Sequence, residues 1–425
     1  MSNRDTTLDD SDDRPAGSAP AAGALTRVLR TRVLAHMRHL RHGSLLVRDP
    51  LGEVVLGSST GPAAQVHVRD PFAWVQIATG GTLGAAEAYM DGRWTTPDLT
   101  ALVRLFVANR AMMDDVDSGL ARLAAPLLRL AHWWRRNTPA QARRNISAHY
   151  DLGNDFYRLF LDPTMSYSAA IYPAADSTLE QAAVHKLDVV CRKLALAPGE
   201  HLLEIGTGWG GLALHAARHY GCRVTTTTIS PRQREYALAR VADAGLADRI
   251  TVLDRDYRRL DGQFDKLVSI EMIEAVGLRY LDLYFRTCAA LLAPHGRMLL
   301  QGIVIADRFY ERARRSVDFI QRYVFPGGAL PSLAAVQGSL ARATDLQLVH
   351  LQDIGLDYAR TLRDWRTRFR AQLGAVRALG YPETFLRRWD YYLAYCEGGF
   401  LERAIGDVQL VLDKPGCRLP VPETA

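Results

Sequence analysis

The chain has 425 residues, 48% of them hydrophobic and 23% charged, which suits a folded protein of two or three domains and excludes a collagenous, coiled-coil or wholly disordered chain. Lys and Arg number 52 against 46 Asp and Glu, a net charge of +6 that favours an anionic partner without choosing between membrane and nucleic acid. Five cysteines (Cys191, Cys222, Cys288, Cys396 and Cys417) lie far apart with no C-x-x-C pair. They read as free thiols of a reducing compartment, not as a disulfide scaffold.

Met1 to Pro20 carries Asp9, Asp10, Asp12 and Asp13 and lacks the apolar core of a signal peptide, which predicts a disordered tail over 1–24. No segment reaches the roughly 18 uninterrupted apolar residues of a membrane span. A cytoplasmic protein, soluble or peripheral on the inner face of the membrane, is expected. Leu25 to Leu45 has apolar residues at helical spacing with Arg27, Arg30, Arg32, Arg38 and Arg41 interleaved, the pattern of a basic amphipathic helix. Alternation to about Ile77 predicts short strands, and Thr82 to Met90 and Thr100 to Asn109 return to helix. These make a small α+β domain over 25–118. A Leu/Ala helix with Trp133, Trp134, Arg135, Arg136, Arg143 and Arg144 follows, a basic amphipathic linker over 119–144. Combined with the first helix it suggests an interfacial surface, apolar side toward acyl chains and Arg toward anionic headgroups.

From Leu187 strand and helix alternate: His201 to Ile205, Leu212 to His219, Arg223 to Ile229, Gln233 to Ala244, Ile250 to Asp254, Lys266 to Ile270, Tyr280 to Leu292 and Gly296 to Ile305. Such alternation predicts an α/β domain over 145–425, a parallel sheet with helices on both faces and ligands beyond the carboxyl ends of its strands. The first strand runs into Glu204-Ile205-Gly206-Thr207-Gly208-Trp209-Gly210-Gly211 and then a helix. Gly206, Gly208 and Gly211 satisfy G-x-G-x-x-G, but a dinucleotide site needs an acid about 20 positions on. Thr227, Thr228 and Ser230 stand there instead. S-adenosylmethionine, with no pyrophosphate to cradle, calls for an acid before the first glycine and polar groups beyond the next two strands. Glu204, Thr228, Gln233 and Asp256 fit those posts. A glycine turn serving packing alone is the bland alternative, and the polar chemistry at three strand ends weighs against it.

A longer chain of motifs carries a resemblance: Ser147 to Tyr157, Leu161 to Ser168, Leu203 to Gly211, Asp256 to Arg258, Ser269 to Gly277, Arg315 to Ile320, Phe325 to Gly328 and Gly355 to Tyr358. In order, they resemble the cyclopropane-fatty-acyl-phospholipid synthases, related to the mycolic acid cyclopropane synthases, over about Arg144 to Asp413. Glu87 to Trp94 resembles the same family's small lipid-associated domain. The resemblance implies a Rossmann-like S-adenosylmethionine-dependent methyltransferase domain. It also implies methylene transfer onto the cis double bond of an unsaturated acyl chain in membrane phospholipid. A cis alkene attacking the sulfonium methyl leaves a carbocation, so the pocket must exclude water and offer π faces and negative charge. A base must then take a proton for the ring to close.

The resemblance further places Tyr167 and Ser168 at the amino-acid end of the cofactor, and Gly206, Gly208 and Trp209 in its loop. Thr228 and Gln233 fall on the ribose side, Asp256 and Tyr257 at the adenine. It implies a bound bicarbonate as the base, held at Glu274, Ala169, Gln301, the Ile303 backbone and Tyr358. At two of these positions, Ala169 and Gln301, the family carries cysteine and histidine. If the proton leaves by another route, a methyl- or methylene-branched chain results. Plain core aromatics are the bland reading of Tyr150, Tyr157, Phe319 and Tyr323, as is a structural histidine of His149. No nucleic-acid motif accompanies the positive charge, and an intact cofactor constellation disfavours a non-enzymatic lipid carrier. Dimerisation is left open.

Overall fold

In the computed structural model the described residues are 23–58, 60–110 and 152–423. The expectations for the tail to residue 22, for the linker over 119–144 with Trp133 and Trp134, and for His149 and Tyr150 lie outside them. The chain forms two compact units, Met1–Trp133 with Ser316–Val324 and Leu362–Ala404, and Trp134–Arg315 with Phe325–Thr361 and Ile405–Ala425.

The first unit holds a four-stranded sheet, β1 (Ser44–Asp49), β2 (Gly52–Gly57), β3 (Ala63–Val68) and β4 (Trp94–Thr95), in the order β2-β1-β3-β4. Side chains alternate across β1, so Leu45 and Val47 enter a core with Trp74, Tyr89, Trp94 and Leu105. The strand pattern expected to about Ile77 ends at Val68, and the next helix starts at Ala73. Gly81, at φ 58° and ψ −135°, kinks that helix, and the glycine pair there breaks the periodicity that would otherwise announce it. The first helix, Ala24–Met37, buries Leu29, Val33, Leu34 and Met37. Val33, Leu34 and Met37 belong to the unit's own core. Its apolar stripe is therefore not free for acyl chains, contrary to the expectation from the sequence. Arg30 is paired with Asp49, while Arg27, Arg32 and Arg38 stay exposed.

The contiguous 145–425 domain expected from the sequence is also divided differently, because residues 316–324 and 362–404 group with the first unit. Helix Glu383–Leu401 lends Ala394 to that core. Polar pins hold it: Tyr89 donates to Asp390 at 2.9 Å, Thr100 to Glu397 at 2.8 Å, and Arg366 to Asp390 at 2.8 Å. The first two of these pairs join residues some 300 positions apart and give no local signal.

The second unit holds β5 (His201–Ile205), β6 (Arg223–Thr228), β7 (Ile250–Asp254), β8 (Phe264–Ile270), β9 (Leu292–Ile305), β10 (Gln347–Asp353) and β11 (Ile405–Asp413), in the order β10-β11-β9-β8-β5-β6-β7. The five strands β5 to β9 run parallel; β11 pairs antiparallel with both β9 and β10. Neighbouring residues feed two separate cores, Leu203, Leu267, Met298 and Leu410 one and Leu202, Val268, Leu299 and Val411 the other. Both faces are covered, as a parallel sheet requires. The strands and helices expected between His201 and Ile305 stand within a few residues of their places.

Candidate active site

The carboxyl end of β5 opens into the glycine loop. Gly206, Gly208 and Gly210 have φ of +105°, +51° and +85°, conformations that side chains resist. A Cβ on Gly208 would meet nothing within 4 Å, so the loop borders open space. Gly206 and Thr207 donate their N–H groups to the Thr227 carbonyl, tying the loop to the end of β6. Glu204 is 5% exposed, and its Oε2 finds no hydrogen-bond partner among the described residues. Burial, opposed by Thr226 and Lys186, pushes its carboxyl up to about 8. A buried, unpartnered carboxylate oxygen beside an open loop fits the ammonium end of S-adenosylmethionine.

Trp209 donates from Nε1 to Asn154 at 2.8 Å, and the Tyr157 ring lies 5.0 Å from Trp209 and 5.2 Å from Tyr167. The structure thus brings Tyr167 and Trp209 together through an aromatic the sequence left as plain core. Ser168 accepts from Lys186 Nζ at 2.9 Å. On the far side Thr228 donates to Gln233 at 3.0 Å. Asp256 stands beyond β7 as expected, but Arg258 binds both its oxygens, at 2.8 and 2.6 Å. Burial would raise that carboxyl, and these bonds hold it below its ordinary value instead.

Binding of the cofactor should follow Glu204. Below about pH 8 this carboxyl must lose its proton to meet a cation, so affinity for S-adenosylmethionine should rise with pH between 6 and 8, by up to about tenfold per unit, and then level off. Calorimetry across that range is the check, and Glu204→Gln should flatten the slope. A wild-type affinity independent of pH would refute the assignment.

The expected base site is rearranged. Glu274 does not bond to Tyr358 or Gln301; its Oε1 accepts from Ile303 N–H at 2.5 Å, and its Oε2 has no partner among the described residues. The carboxylate beside Tyr358 and Gln301 is Glu271. It accepts from Tyr358 OH at 2.6 Å, from Ala169 N–H at 2.7 Å and from Gln301 Nε2 at 2.9 Å. Three residues, just under one helical turn, separate the two glutamates, and spacing alone could not choose between them.

Around this carboxylate the protein buries further polar groups that the sequence reading missed. Asp407 and Gln409 are fully buried on β11, and Gln301 Nε2 also reaches Asp407 at 3.2 Å. Lys193 Nζ, which can only donate, binds the Gln409 carbonyl at 2.8 Å, so Gln409 Nε2 must donate to Gln301 Oε1 at 3.0 Å. Gln301 is thereby oriented with its amide N–H toward the carboxylates. Lys186, one helical face along from Lys193, is 2% exposed, and burial lowers its pKa against the pull of Glu271, Asp162, Asp407 and Glu204. Burial and the charges of Glu271 and Glu274 raise Asp407 well above its ordinary value. Burial also raises Glu271, but four donors and cations oppose it. The two carboxyls share one buried site, in which Tyr358, Ala169, Gln301 and Lys186 all favour the charged form of Glu271. Polar residues at Asp407 and Gln409 in the interior of a mostly apolar strand were the available signal.

A profile of the mycolic acid cyclopropane synthetase family matches residues 137–410. The chain belongs to that family. The tuberculostearic acid methyltransferase UfaA1 of Mycobacterium tuberculosis is 36% identical over 373 residues, 85% of this chain and 86% of that protein. The cyclopropane-fatty-acyl-phospholipid synthase of Escherichia coli is 36% identical over 354 residues, 83% and 88% of the two chains. Among solved structures, the mycolic acid cyclopropane synthase CmaA1 complexed with SAH and CTAB matches with a TM-score of 0.61 at 34% identity, covering 64% of this chain and 98% of that one. The second unit accordingly has the Rossmann-like fold of the S-adenosylmethionine-dependent methyltransferases in this synthetase family, as its strand order and glycine loop anticipate.

Proposed function

We propose that this enzyme transfers a one-carbon unit from S-adenosylmethionine to the cis double bond of an unsaturated acyl chain in membrane phospholipid, closing a cyclopropane ring. The observation that carries the reading is a cluster of carboxylates, Glu271 and Glu274 just past β8 and the buried Asp407 on β11, in the same sheet whose β5 end opens the cofactor loop. S-adenosylmethionine supplies, when bound, an electrophilic methyl group. Glu204 would hold its ammonium, and the 206–210 loop would take the adjoining part of the molecule. Tyr157, Tyr167 and Trp209, packed ring to ring, would exclude water and offer π faces to a cation. Buried carboxylates nearby would stabilise that cation and accept its proton.

The lipid would be met at a charged surface. Helix Ala24–Met37 exposes Leu25 (66%) and Val28 (51%) beside Arg27 and Arg32, an apolar tip ringed by cations of the kind that anionic headgroups attract. One further finding favours a second product. Ala169 offers no thiol and Gln301 no imidazole, and a 36% identical relative is named a tuberculostearic acid methyltransferase, so a methyl- or methylene-branched chain is the alternative.

Purified enzyme, given S-adenosylmethionine with a deuterated methyl and vesicles of monounsaturated phospholipid, should yield acyl chains heavier by one methylene. Loss of one deuterium from the transferred carbon supports the ring or the methylene branch, which gas chromatography separates. Retention of the whole methyl supports the methyl branch. Anionic vesicles should be used faster than neutral ones, with the difference shrinking as salt screens the surface. No added carbon on any acyl chain overturns the proposal.

A further inference from the structure

We propose that Glu271 is the proton acceptor of this enzyme, a carboxylate built into the chain in the place where the family resemblance assigns a bound bicarbonate. The proposal rests on the one-carbon-transfer reading above and concerns how its last step is done.

The donors implied for bicarbonate are already engaged. Tyr358 OH, Gln301 Nε2 and Ala169 N–H all reach Glu271, and Ile303 N–H reaches Glu274. A carboxylate presents the same planar pair of oxygens as bicarbonate, so donors arranged for one suit the other. The residues present therefore do not fit a separate bicarbonate. The two departures agree with this. Ala169 contributes only its backbone N–H, and Gln301 gives a neutral donor whose direction is set by Lys193 through Gln409.

Backbone geometry adds an independent sign. Glu271 has φ +47°, the left-handed region, which costs a non-glycine residue roughly 1–2 kcal/mol. Glycine would sit there without cost, yet the chain carries a glutamate whose side chain is turned onto Tyr358 and Gln301. Strain retained at such a place is characteristic of functional sites. The surroundings complete the case: Gln301 is aimed at Glu271 by Lys193 through Gln409, and Lys186 lies in the field of Glu271 and Asp407.

In the step itself, the carbocation left on the acyl chain after methyl transfer loses a proton to Glu271. The C–H electron pair closes the third side of the ring when the proton comes from the transferred carbon. Glu271 becomes a neutral acid and returns the proton to solvent before the next turnover. No external base is consumed.

Three full-length proteins test this: wild type, Glu271→Gln and Glu271→Gly. Wild-type turnover should change by less than about twofold between decarbonated buffer and added bicarbonate, and calorimetry should detect no bicarbonate binding. Glu271→Gln, isosteric but unable to accept the proton, should lose about a hundredfold or more in turnover while keeping its affinity for S-adenosylmethionine. Glu271→Gly frees three donors, so it should bind bicarbonate, and bicarbonate should raise its turnover by about tenfold or more. Bicarbonate binding to the wild type, bicarbonate-dependent wild-type turnover, or near-normal turnover in Glu271→Gln each overturns the proposal. If no protein adds carbon to any lipid, yet Glu271→Gly binds bicarbonate and wild type does not, the one-carbon-transfer reading falls and the assignment of Glu271 to the bicarbonate place stands.

Discussion

Replacing Lys186 with methionine should destabilise the protein in a strongly pH-dependent way. Lys186 is 2% exposed and lies in the field of Glu271, Asp162, Asp407 and Glu204. Methionine matches much of its length, so packing is largely kept, but the compensating charge is lost. Breaking such a buried arrangement by removing one partner costs about 3–5 kcal/mol, on the order of 10 °C in Tm. The sign with pH follows from the carboxyls. Glu204 and Glu274 already titrate near 8 because of burial, and losing Lys186 pushes its neighbours higher still. Well below pH 8 Glu204 holds its proton in both proteins; as pH rises through 8 the wild type releases it while the variant keeps it, so the variant's deficit grows with pH through and above 8. Thermal unfolding of both proteins at pH 6 and pH 9 should show the smaller deficit at the lower pH and the larger one at the higher. An equal deficit at both would mean that Lys186 serves packing alone.

The second large effect is expected at Gly206. Its φ of +105° lies where a β-branched residue is most strained, so Gly206→Val must reshape the loop that follows β5. Affinity for S-adenosylmethionine should fall by about a hundredfold or more, because that backbone borders the proposed cofactor space. Gly199→Val is the control: φ is +86°, a Cβ there meets nothing within 4 Å, and the residue precedes β5 at the end remote from the loop. It carries a comparable backbone cost without touching the site. Calorimetry should find binding lost in the first variant and kept in the second. Equal loss in both would assign the effect to general destabilisation.

Much of the catalytic unit was legible along the chain. Strands β5 to β9 and the helices between them announce themselves through short apolar runs, glycines and cap residues, since each element's pattern is written within its own residues. Glu204, Gly206 and Thr228 could be located for the same reason: Glu204 and Thr228 stand at the ends of β5 and β6 and Gly206 follows β5, positions countable along each strand. The helix from Ala73 was harder, because Gly80 and Gly81 interrupt its period.

The base site shows where such reading stops. Glu271 and Glu274 are three residues apart on one loop, and nothing local says which of them turns toward Tyr358. That choice depends on a left-handed backbone at Glu271 and on donors brought from Ala169, Gln301 and Tyr358, 102, 30 and 87 residues away. Asp407 and Gln409 likewise gain meaning only when β11 is laid antiparallel beside β9, pairing Gln409 with Gln301. The grouping of residues 362–404 with the N-terminal unit rests on side-chain pairs such as Tyr89 with Asp390, 301 positions apart. By itself the amino-acid sequence determined the element order, the fold class, the family and the cofactor loop, because these depend on contacts and torsions within a few residues. Which carboxylate meets Tyr358 and Gln301, and which helices complete the N-terminal core, was decided by the tertiary structure, because burial brings together charges and donors whose separation along the chain carries no trace of their proximity.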